Sequence, residues 1–227
     1  MPPSTRNFVA EFVGTFTLVF IGGGAIMMAG ESNHASLLTV ALAHGIALGV
    51  MVAATIPVSG GQLNPSITIG LMATRRLAPT LGSIHLVAQV LGAVVAAYLL
   101  KTAFPAAVVE ATRIGGQAVA SDTTTGHAIL LEAIATFFLM FVVYGTAVTG
   151  KAPGVAGLLV GLTVSGGILA IGPLTGGSMN PARSFGPAMV SGVWEGQMIY
   201  WIGPIVGAVL AAVIWEYVIV DKTARTS

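Results

Sequence analysis

The chain has 227 residues, of which 55% are hydrophobic and 7% are charged, and its mean hydropathy is +0.92. Because a soluble domain carries about 25% charged residues, this composition predicts a protein that crosses a membrane several times. The net charge of +1 offers no basic surface for nucleic acid. Cysteine is absent, which excludes disulfides, thiolate metal sites and cysteine catalysis.

Six apolar stretches are long enough to cross a hydrocarbon core, which takes roughly 20 residues of helix. Their only charged members are Glu11, Glu132 and Glu216. A charge in such a stretch is costly and therefore indicates a specific role. The predicted spans cover residues 8–29, 37–56, 81–100, 128–149, 154–172 and 198–220.

Two shorter apolar segments, 64–74 and 180–191, each follow a pair of glycines and begin with almost the same tripeptide. Asparagine caps a helix start and proline is preorganised for the first turn, so each tripeptide predicts the start of a half-helix. One copy would equally fit an ordinary connecting helix, but two matched copies favour a pair. Irregular backbone between membrane spans is tolerated where it lines a cavity. The tripeptides are Asn64-Pro65-Ser66 and Asn180-Pro181-Ala182.

The two halves of the chain are related beyond these tripeptides. Residues 11–16 of the first span resemble residues 132–137 of the fourth, and residues 91–97 of the third resemble residues 206–212 of the sixth. Three spans in each half force the halves to insert with opposite orientation. We therefore expect a single domain built from two inverted repeats, about 1–105 and 126–227, with the broken elements facing each other at the membrane midplane.

Positive charges are divided unevenly between the two sides that six spans define. Only Lys101 and Arg113 fall in loops on one side. By the positive-inside rule the other side is cytoplasmic, and both termini lie there, with the connector of residues 101–126 outside. The cations on the predicted cytoplasmic side are Arg6, Arg75, Arg76, Lys151, Lys222 and Arg225.

Half-helices that enter from opposite faces bring Asn64 and Asn180 together near the centre of the membrane. Both helix N-termini, the positive ends of the helix dipoles, then point at this place. A cation or a hopping proton meets an unfavourable potential there, whereas a neutral molecule does not. The glycine-rich segments 59–63 and 175–179 precede the two tripeptides. Because glycine lacks Cβ, the backbone of these segments can turn its carbonyls into a lumen. The predicted carbonyl acceptors are Gly60, Gly61, Gln62, Gly176, Gly177 and Ser178.

These motifs resemble those of the aquaporins, or major intrinsic proteins, over nearly the whole chain. The resemblance is anchored on residues 59–65 and 180–184. Ser66 stands where the family usually has alanine, and its hydroxyl is expected to bond back to the helix.

The resemblance implies roles for the buried charges. Glu11 and Glu132 resemble the glutamates of the family that bond to the two half-helix loops. Arg183 resembles the arginine that faces the lumen at a narrow outer constriction. A structural salt bridge between Arg183 and Glu132 is the alternative, because a charge inside the membrane needs compensation.

The resemblance also assigns the other constriction positions. His44 stands where strict water channels usually carry Phe, Ile168 where they often carry His, and Gly177 at the loop position. With Arg183, this set looks like that of the ammonia-permeable vacuolar aquaporins of plants. A lone histidine in an apolar span is by itself more often a satisfied core residue, so the role of His44 depends on the resemblance.

Indirect markers favour the water-channel branch of the family. Glycerol-conducting members usually have Asp and then Lys or Arg where this chain has Ser184 and Ala188.

The remaining histidines, His34, His85 and His127, lack metal-site spacing and are interpreted as uninformative. Glycines four residues apart predict close packing between helices. These pairs are Gly45/Gly49, Gly157/Gly161 and Gly203/Gly207.

Together, the residues and the resemblance predict an all-α membrane protein with six transmembrane helices and two re-entrant half-helices. It is expected to be a passive channel for water, with ammonia as a second solute, that excludes protons and ions. The expected partners are the lipid bilayer, small neutral solutes and further copies in a homotetramer, with no nucleic acid, cofactor, metal or catalytic residue.

Three other functions share some of these sequence features. A glycerol or other small-solute facilitator shares the architecture. A secondary transporter also has inverted repeats and broken helices, but it needs ion ligands or a proton relay beyond Glu11 and Glu132. An enzyme is disfavoured, because no nucleophile, base and orienting group can be assembled from these residues.

Overall fold

The computed structural model describes residues 2–32, 36–150 and 152–220, and within them the regular structure is entirely helical. His34, Lys151, Lys222 and Arg225 lie outside the described residues. The α-helices are α1 (Pro3–Ser32), α2 (Leu37–Ser59), α3 (Pro65–Ala73), α4 (Pro79–Ala103), α5 (Ala106–Thr112), α6 (Thr125–Val143), α7 (Pro153–Thr175), α8 (Pro181–Ser191) and α9 (Ile199–Ile214).

Six of the described helices are long and apolar enough to cross a membrane, judged by length and composition. They are α1, α2, α4, α6, α7 and α9, and the short α3 and α8 follow α2 and α7. The predicted all-α fold with six spans and two half-helices is therefore confirmed.

The helix ends differ from the predicted spans by up to a few residues, and three places hold structure that was not predicted. The connector between α4 and α6 holds α5 and a 3-10 turn, Arg113–Gly115, that were predicted as loop. The spans α6 and α9 each end in one π-helical turn, Tyr144–Val148 and Trp215–Ile219. Apolar periodicity cannot predict either feature, because a single turn is too short to show a period.

The ends of the helices explain how the chain turns back inside the membrane. Gly60 and Gly176 end α2 and α7 in the left-handed conformation, with φ of 90° and 82°, which a residue without Cβ adopts at little cost. Asn64 then caps α3 by accepting a hydrogen bond from the N–H of Ser66 at 2.9 Å. Asn180 caps α8 in the same way through Ala182 at 3.0 Å. Each half-helix thus starts within a few residues of the end of a span.

The two halves of the chain interlock through the half-helices. Within each half, α1 packs on α4 and α6 packs on α9, and the halves meet where α2 packs on α7. The half-helix α3 packs on α9, and α8 packs on α4. Each half-helix is therefore held by a span from the other half of the chain.

Glycines allow the closest helix contacts. Gly49 faces Gly157, and a Cβ built on Gly49 would lie 2.8 Å from the carbonyl oxygen of Gly157. A Cβ on Gly203 would lie 2.7 Å from the carbonyl oxygen of Ile129, and one on Gly207 would contact the backbone of Ala133. The close packing predicted from the glycine pairs is therefore confirmed at these crossings.

A polar cluster joins the helix ends on the side where α3 ends. Arg76 Nε lies 2.7 Å from Glu216 Oε2. The hydroxyl of the buried Tyr144 lies 2.8 Å from Thr74 Oγ1 and 3.1 Å from Glu216 Oε2. Tyr144 and Glu216 belong to the two π-helical turns. The turns therefore connect the end of the first half-helix to the ends of α6 and α9.

The crossing of α6 and α9 gives a stability prediction. Gly207→Ala places a methyl group against the backbone of Ala133, which cannot move aside as a side chain can, so we expect a loss of about 1–3 kcal/mol. Gly166→Ala is the matched control, because a Cβ there meets nothing within 4 Å. Thermal unfolding in detergent should show a lower midpoint for Gly207→Ala and an unchanged or higher midpoint for the control. Equal midpoints would contradict the packing described here.

Candidate functional site

Two re-entrant loops meet through the asparagines that follow them. The first loop is residues 60–63, between α2 and α3, and the second loop is residues 176–179, between α7 and α8. The amide of Asn64 donates from Nδ2 to the carbonyl of Met179 at 2.8 Å, and the amide of Asn180 donates to the carbonyl of Leu63 at 2.9 Å. Both asparagines are buried. Each amide thus caps its own half-helix through Oδ1 and crosses to the opposite loop through Nδ2. The two residues that the sequence singles out are brought together at the junction of α3 and α8.

A buried glutamate supports each loop with the same set of bonds. Glu11 accepts hydrogen bonds from the hydroxyl of Ser59 at 2.6 Å, from the N–H of Gln62 at 3.0 Å and from the N–H of Leu63 at 2.7 Å. An N–H without a partner in the membrane core costs several kcal/mol. The carboxylate removes that cost for two successive residues of an irregular loop.

Glu132 repeats this arrangement in the second half. It accepts from the hydroxyl of Thr175 at 2.8 Å, from the N–H of Ser178 at 2.9 Å and from the N–H of Met179 at 2.7 Å. The matching bonds indicate equivalent conformations of the two loops. Leu63 and Met179 also share a left-handed backbone conformation, with φ of 52° and 51°.

The loop N–H groups face the glutamates, and a row of loop carbonyls is left without a donor. Among the described residues, no N–H or O–H group reaches the carbonyl oxygens of the six predicted acceptors. The residues are Gly60, Gly61, Gln62, Gly176, Gly177 and Ser178.

His44 and Arg183 form a direct contact across the fold. Nε2 of His44 lies 3.1 Å from Nε and 2.9 Å from Nη2 of Arg183. Nδ1 of His44 lies 2.8 Å from the carbonyl oxygen of Val40. Because a carbonyl only accepts, Nδ1 carries the hydrogen, and Nε2 offers its lone pair to the guanidinium. His44 is therefore neutral, and protein groups engage both of its nitrogens.

Arg183 is only 1% exposed, yet its Nη1 has no protein partner among the described residues. Arg183 makes no ion pair with Glu132 there either, so the alternative of a structural salt bridge is not observed. A buried N–H group without a partner is costly. Nη1 is therefore a donor that a bound molecule can satisfy.

A narrow cavity lies beside this guanidinium. It is bordered by both asparagines, His44, Ile168 and Arg183, and it offers ≈ 10 Å³ to a water-sized sphere, about the minimum that holds one water molecule. Gly177 does not border the cavity but packs on Ile168, and a Cβ there would lie 3.1 Å from Cα of Ile168. The structure therefore brings three of the four predicted constriction residues to one cavity.

Apolar residues that were not predicted complete the cavity wall. Leu48 and Val164 lie one helical turn from His44 and Ile168, so the helix period offered a signal for them. Leu18 and Leu139 come from α1 and α6, and only the packing of these helices identifies them. The unpredicted apolar lining residues are these four and Met179 of the second loop.

The interpretation of His85 as uninformative is wrong. His85 is fully buried in α4, and its Nδ1 lies 3.0 Å from Oε1 of Gln62, which also accepts from the hydroxyl of Thr68 at 2.7 Å. One turn along α4, Gln89 donates to Glu11 at 2.7 Å. The polar side of this span therefore supports the first loop. The sequence signal was the one-turn spacing of two polar residues in an apolar span.

A residue of α9 supports the start of the second loop, as residues of α4 support the first loop. The hydroxyl of Tyr200, on α9, donates to the carbonyl of Thr175 at 2.8 Å.

Ser66, at the start of α3, does not make the expected bond back to its helix. Its buried Oγ has no partner among the described residues.

Gln117 is a further residue that was not predicted. It follows the 3-10 turn of the connector and packs on the second loop, where a Cβ on Gly176 would lie 2.8 Å from its Cγ. Both polar atoms of its side chain are buried without a partner among the described residues. The connector thus covers the second loop and carries a polar group there.

Replacing either buried glutamate by glutamine tests the loop support. Glu11→Gln or Glu132→Gln replaces one accepting oxygen by an NH2 group, which opposes a donor and leaves it unpaired at a cost of about 1–3 kcal/mol. Expression and the thermal midpoint should fall together. The exposed Glu110→Gln is the control and should leave both unchanged. A variant that stays fully stable but loses all flux would contradict the structural role.

Comparison with known proteins agrees with this geometry. The profile of the family described as Major intrinsic protein matches residues 1–215. A probable aquaporin TIP3-2 of Arabidopsis thaliana is 41% identical over 97% of this chain and 86% of its own length. Aquaporin TIP4-4 of Zea mays is 41% identical over 93% of this chain and 85% of its own length.

A solved structure is also similar. The aquaglyceroporin from Plasmodium falciparum has a TM-score of 0.82 to this chain at 25% sequence identity, covering 95% of this chain and 97% of that one. The chain therefore belongs to the major intrinsic protein family, whose members are membrane channels and not enzymes.

Proposed function

We propose that this protein conducts water passively, with ammonia as a second solute, and excludes protons and ions. The observation that carries the proposal is the narrow cavity where both half-helices begin, bordered by Asn64, Asn180 and Arg183, whose Nη1 has no partner among the described residues. These groups donate hydrogen bonds to a small neutral molecule with a lone pair. The relatives named aquaporins support the same function.

The asparagines give water a place to exchange hydrogen bonds. An amide NH2 carries two hydrogens, and each asparagine uses one of them for the opposite loop. The second hydrogen is free to donate to a water oxygen. The open loop carbonyls, Gly60 to Gln62 and Gly176 to Ser178, accept from water on either side. A single file of water thus keeps its hydrogen bonds through the narrowest part.

Cations and protons are opposed by positive charge at the same place. The positive ends of α3 and α8 face the same point, and Arg183 adds a full charge to one wall of the cavity. Fixed positive potential of this kind opposes a cation or a migrating proton and leaves neutral water unaffected. The cavity also has room for about one water, too little for an ion to keep its hydration shell.

Ammonia fits the constriction because the polar side of the constriction donates a hydrogen bond, which the lone pair of NH3 can accept. Both nitrogens of His44 are engaged, by Val40 and by Arg183, so Nη1 of Arg183 supplies the free hydrogen bond. Nη1 can donate to the lone pair of NH3 as to that of water, while its charge repels ammonium. The apolar Ile168 borders the other side.

Glycerol conduction is the second candidate, favoured by the structural similarity to an aquaglyceroporin. The cavity argues against it, because glycerol needs several times the volume of one water. Ser184 and Ala188 also differ from the usual residues of glycerol-conducting members.

The architecture suggests the arrangement in the membrane. The matched bonds of Glu11 and Glu132 support a single channel domain made of two inverted repeats, about 1–105 and 126–227. We propose that both termini are cytoplasmic, since Arg75 and Arg76 follow α3 on the side where α9 ends. A homotetramer with one pore per protomer remains a proposal based on the family resemblance.

Reconstitution into liposomes tests conduction and exclusion together. Stopped-flow light scattering should show water permeability well above that of empty liposomes. A pH-sensitive dye inside the same vesicles should report no faster collapse of a proton gradient. A proton current coupled to solute movement would contradict the proposal and indicate a transporter.

A double substitution tests the second solute. His44→Phe with Ile168→His restores the pair that strict water channels usually carry, and it should keep water flux within about threefold while ammonia flux falls to the level of empty liposomes. Ile46→Phe with Leu169→Phe changes exposed positions on the same helices and serves as the control. Ammonia permeability of the native protein equal to that of empty liposomes would leave a plain water channel.

A further inference from the structure

The imidazole of His44 occupies the space that a side chain at position 22 would fill. Gly22 is a buried residue of α1. A Cβ built on Gly22 would contact Cδ2 and Nε2 of His44 and lie 2.8 Å from its Cε1. Separations under 3.0 Å essentially do not occur for a real Cβ. The observed position of the ring therefore requires glycine at position 22.

The ring cannot yield to a methyl group without losing a polar contact. Its Nδ1 is bonded to the carbonyl of Val40, and its Nε2 accepts from two nitrogens of Arg183. His44 has only two side-chain torsions, so a shift away from α1 moves both nitrogens. Either the hydrogen of Nδ1 or the guanidinium of Arg183 would then lose its partner in a buried site.

We infer that Gly22 is a positioning residue for the outer constriction. Because Gly22 has no side chain, His44 can lie where its Nε2 bonds to Nε and Nη2 of Arg183, a residue that borders the cavity. Gly22 itself does not border the cavity and acts through His44. The inference rests on the proposed function of this constriction, and it assigns a determinant of the pore to α1.

The glycines that follow Gly22 provide an internal comparison. A Cβ on Gly23 would lie 2.8 Å from Cδ1 of Leu100, away from the cavity. A Cβ on Gly24 would make ordinary contacts, 3.6 Å from Leu100 and 3.8 Å from Phe104. Gly24→Ala therefore makes the same chemical change in the same helix, with the same gain in helix propensity, and it leaves His44 alone.

The experiment is a double-mutant cycle in proteoliposomes. Gly22→Ala and Gly24→Ala are each made in the native protein and in a His44→Ala background, and water permeability is measured per reconstituted protein. In the native protein, Gly22→Ala should lower water permeability at least about fivefold, because the displaced ring enters a cavity with room for one water. Gly24→Ala should stay within about 1.5-fold of native.

The His44→Ala background separates positioning from packing. Without the imidazole, a methyl group at position 22 has no ring to displace, so Gly22→Ala should change permeability by less than about twofold there. The thermal midpoint should show the same pattern, with a loss in the native background that disappears with His44→Ala. This second readout applies even where Gly22→Ala yields little folded channel.

Two results would overturn the inference. One is an equal fractional loss of permeability from Gly22→Ala in both backgrounds, which would show a general packing role in α1. The other is a Gly22→Ala channel that conducts like Gly24→Ala. Failure of the proposed function would look different, because the native protein itself would then conduct no more water than empty liposomes.

Discussion

The structure depends on satisfying the polar backbone of two loops that turn back inside a membrane. Helices satisfy their own N–H and C=O groups, but residues 60–63 and 176–179 are not helical and cannot do so. Glu11 and Glu132 solve this by accepting two successive N–H groups and a hydroxyl each. No donor to the carbonyls of Gly60 to Gln62 or Gly176 to Ser178 is found among the described residues. In our proposal these carbonyls are the acceptors for water.

The asparagines connect the two supported loops into one unit. Each caps its own half-helix and donates to the opposite loop, so neither loop is complete without the other. The packing of α3 on α9 and of α8 on α4 gives the same dependence between the halves. Beyond this shared frame the halves differ. The first loop is supported by a glutamine and a histidine of α4, and the second by a tyrosine of α9.

The outer constriction shows how few free polar groups remain once internal bonds are made. His44 is the residue that gives this constriction its polar appearance in the sequence, yet both of its nitrogens are bonded within the protein. Nη1 of Arg183 is a donor without a partner among the described residues. In our proposal, the properties of the constriction therefore depend on the position of the guanidinium, and through His44 on how the imidazole packs against α1.

The sequence by itself determined the architecture and the main site. Long apolar stretches have no stable alternative to membrane helices, and two Asn-Pro tripeptides behind glycines specify two helix starts through local backbone chemistry. The pairing of Glu11 with Glu132 followed from the repeat. The roles of His85 and Gln89, the place of Gly177 behind Ile168 and the lack of a partner for Ser66 were decided only by the tertiary structure. These depend on which side chains the packing of α3, α4 and α7 brings into contact, and a single residue in a mostly apolar helix does not specify its partner in the sequence. The packing of His44 against Gly22 was also decided only by the tertiary structure. The space left by a missing Cβ matters only when a side chain of a facing helix packs into it.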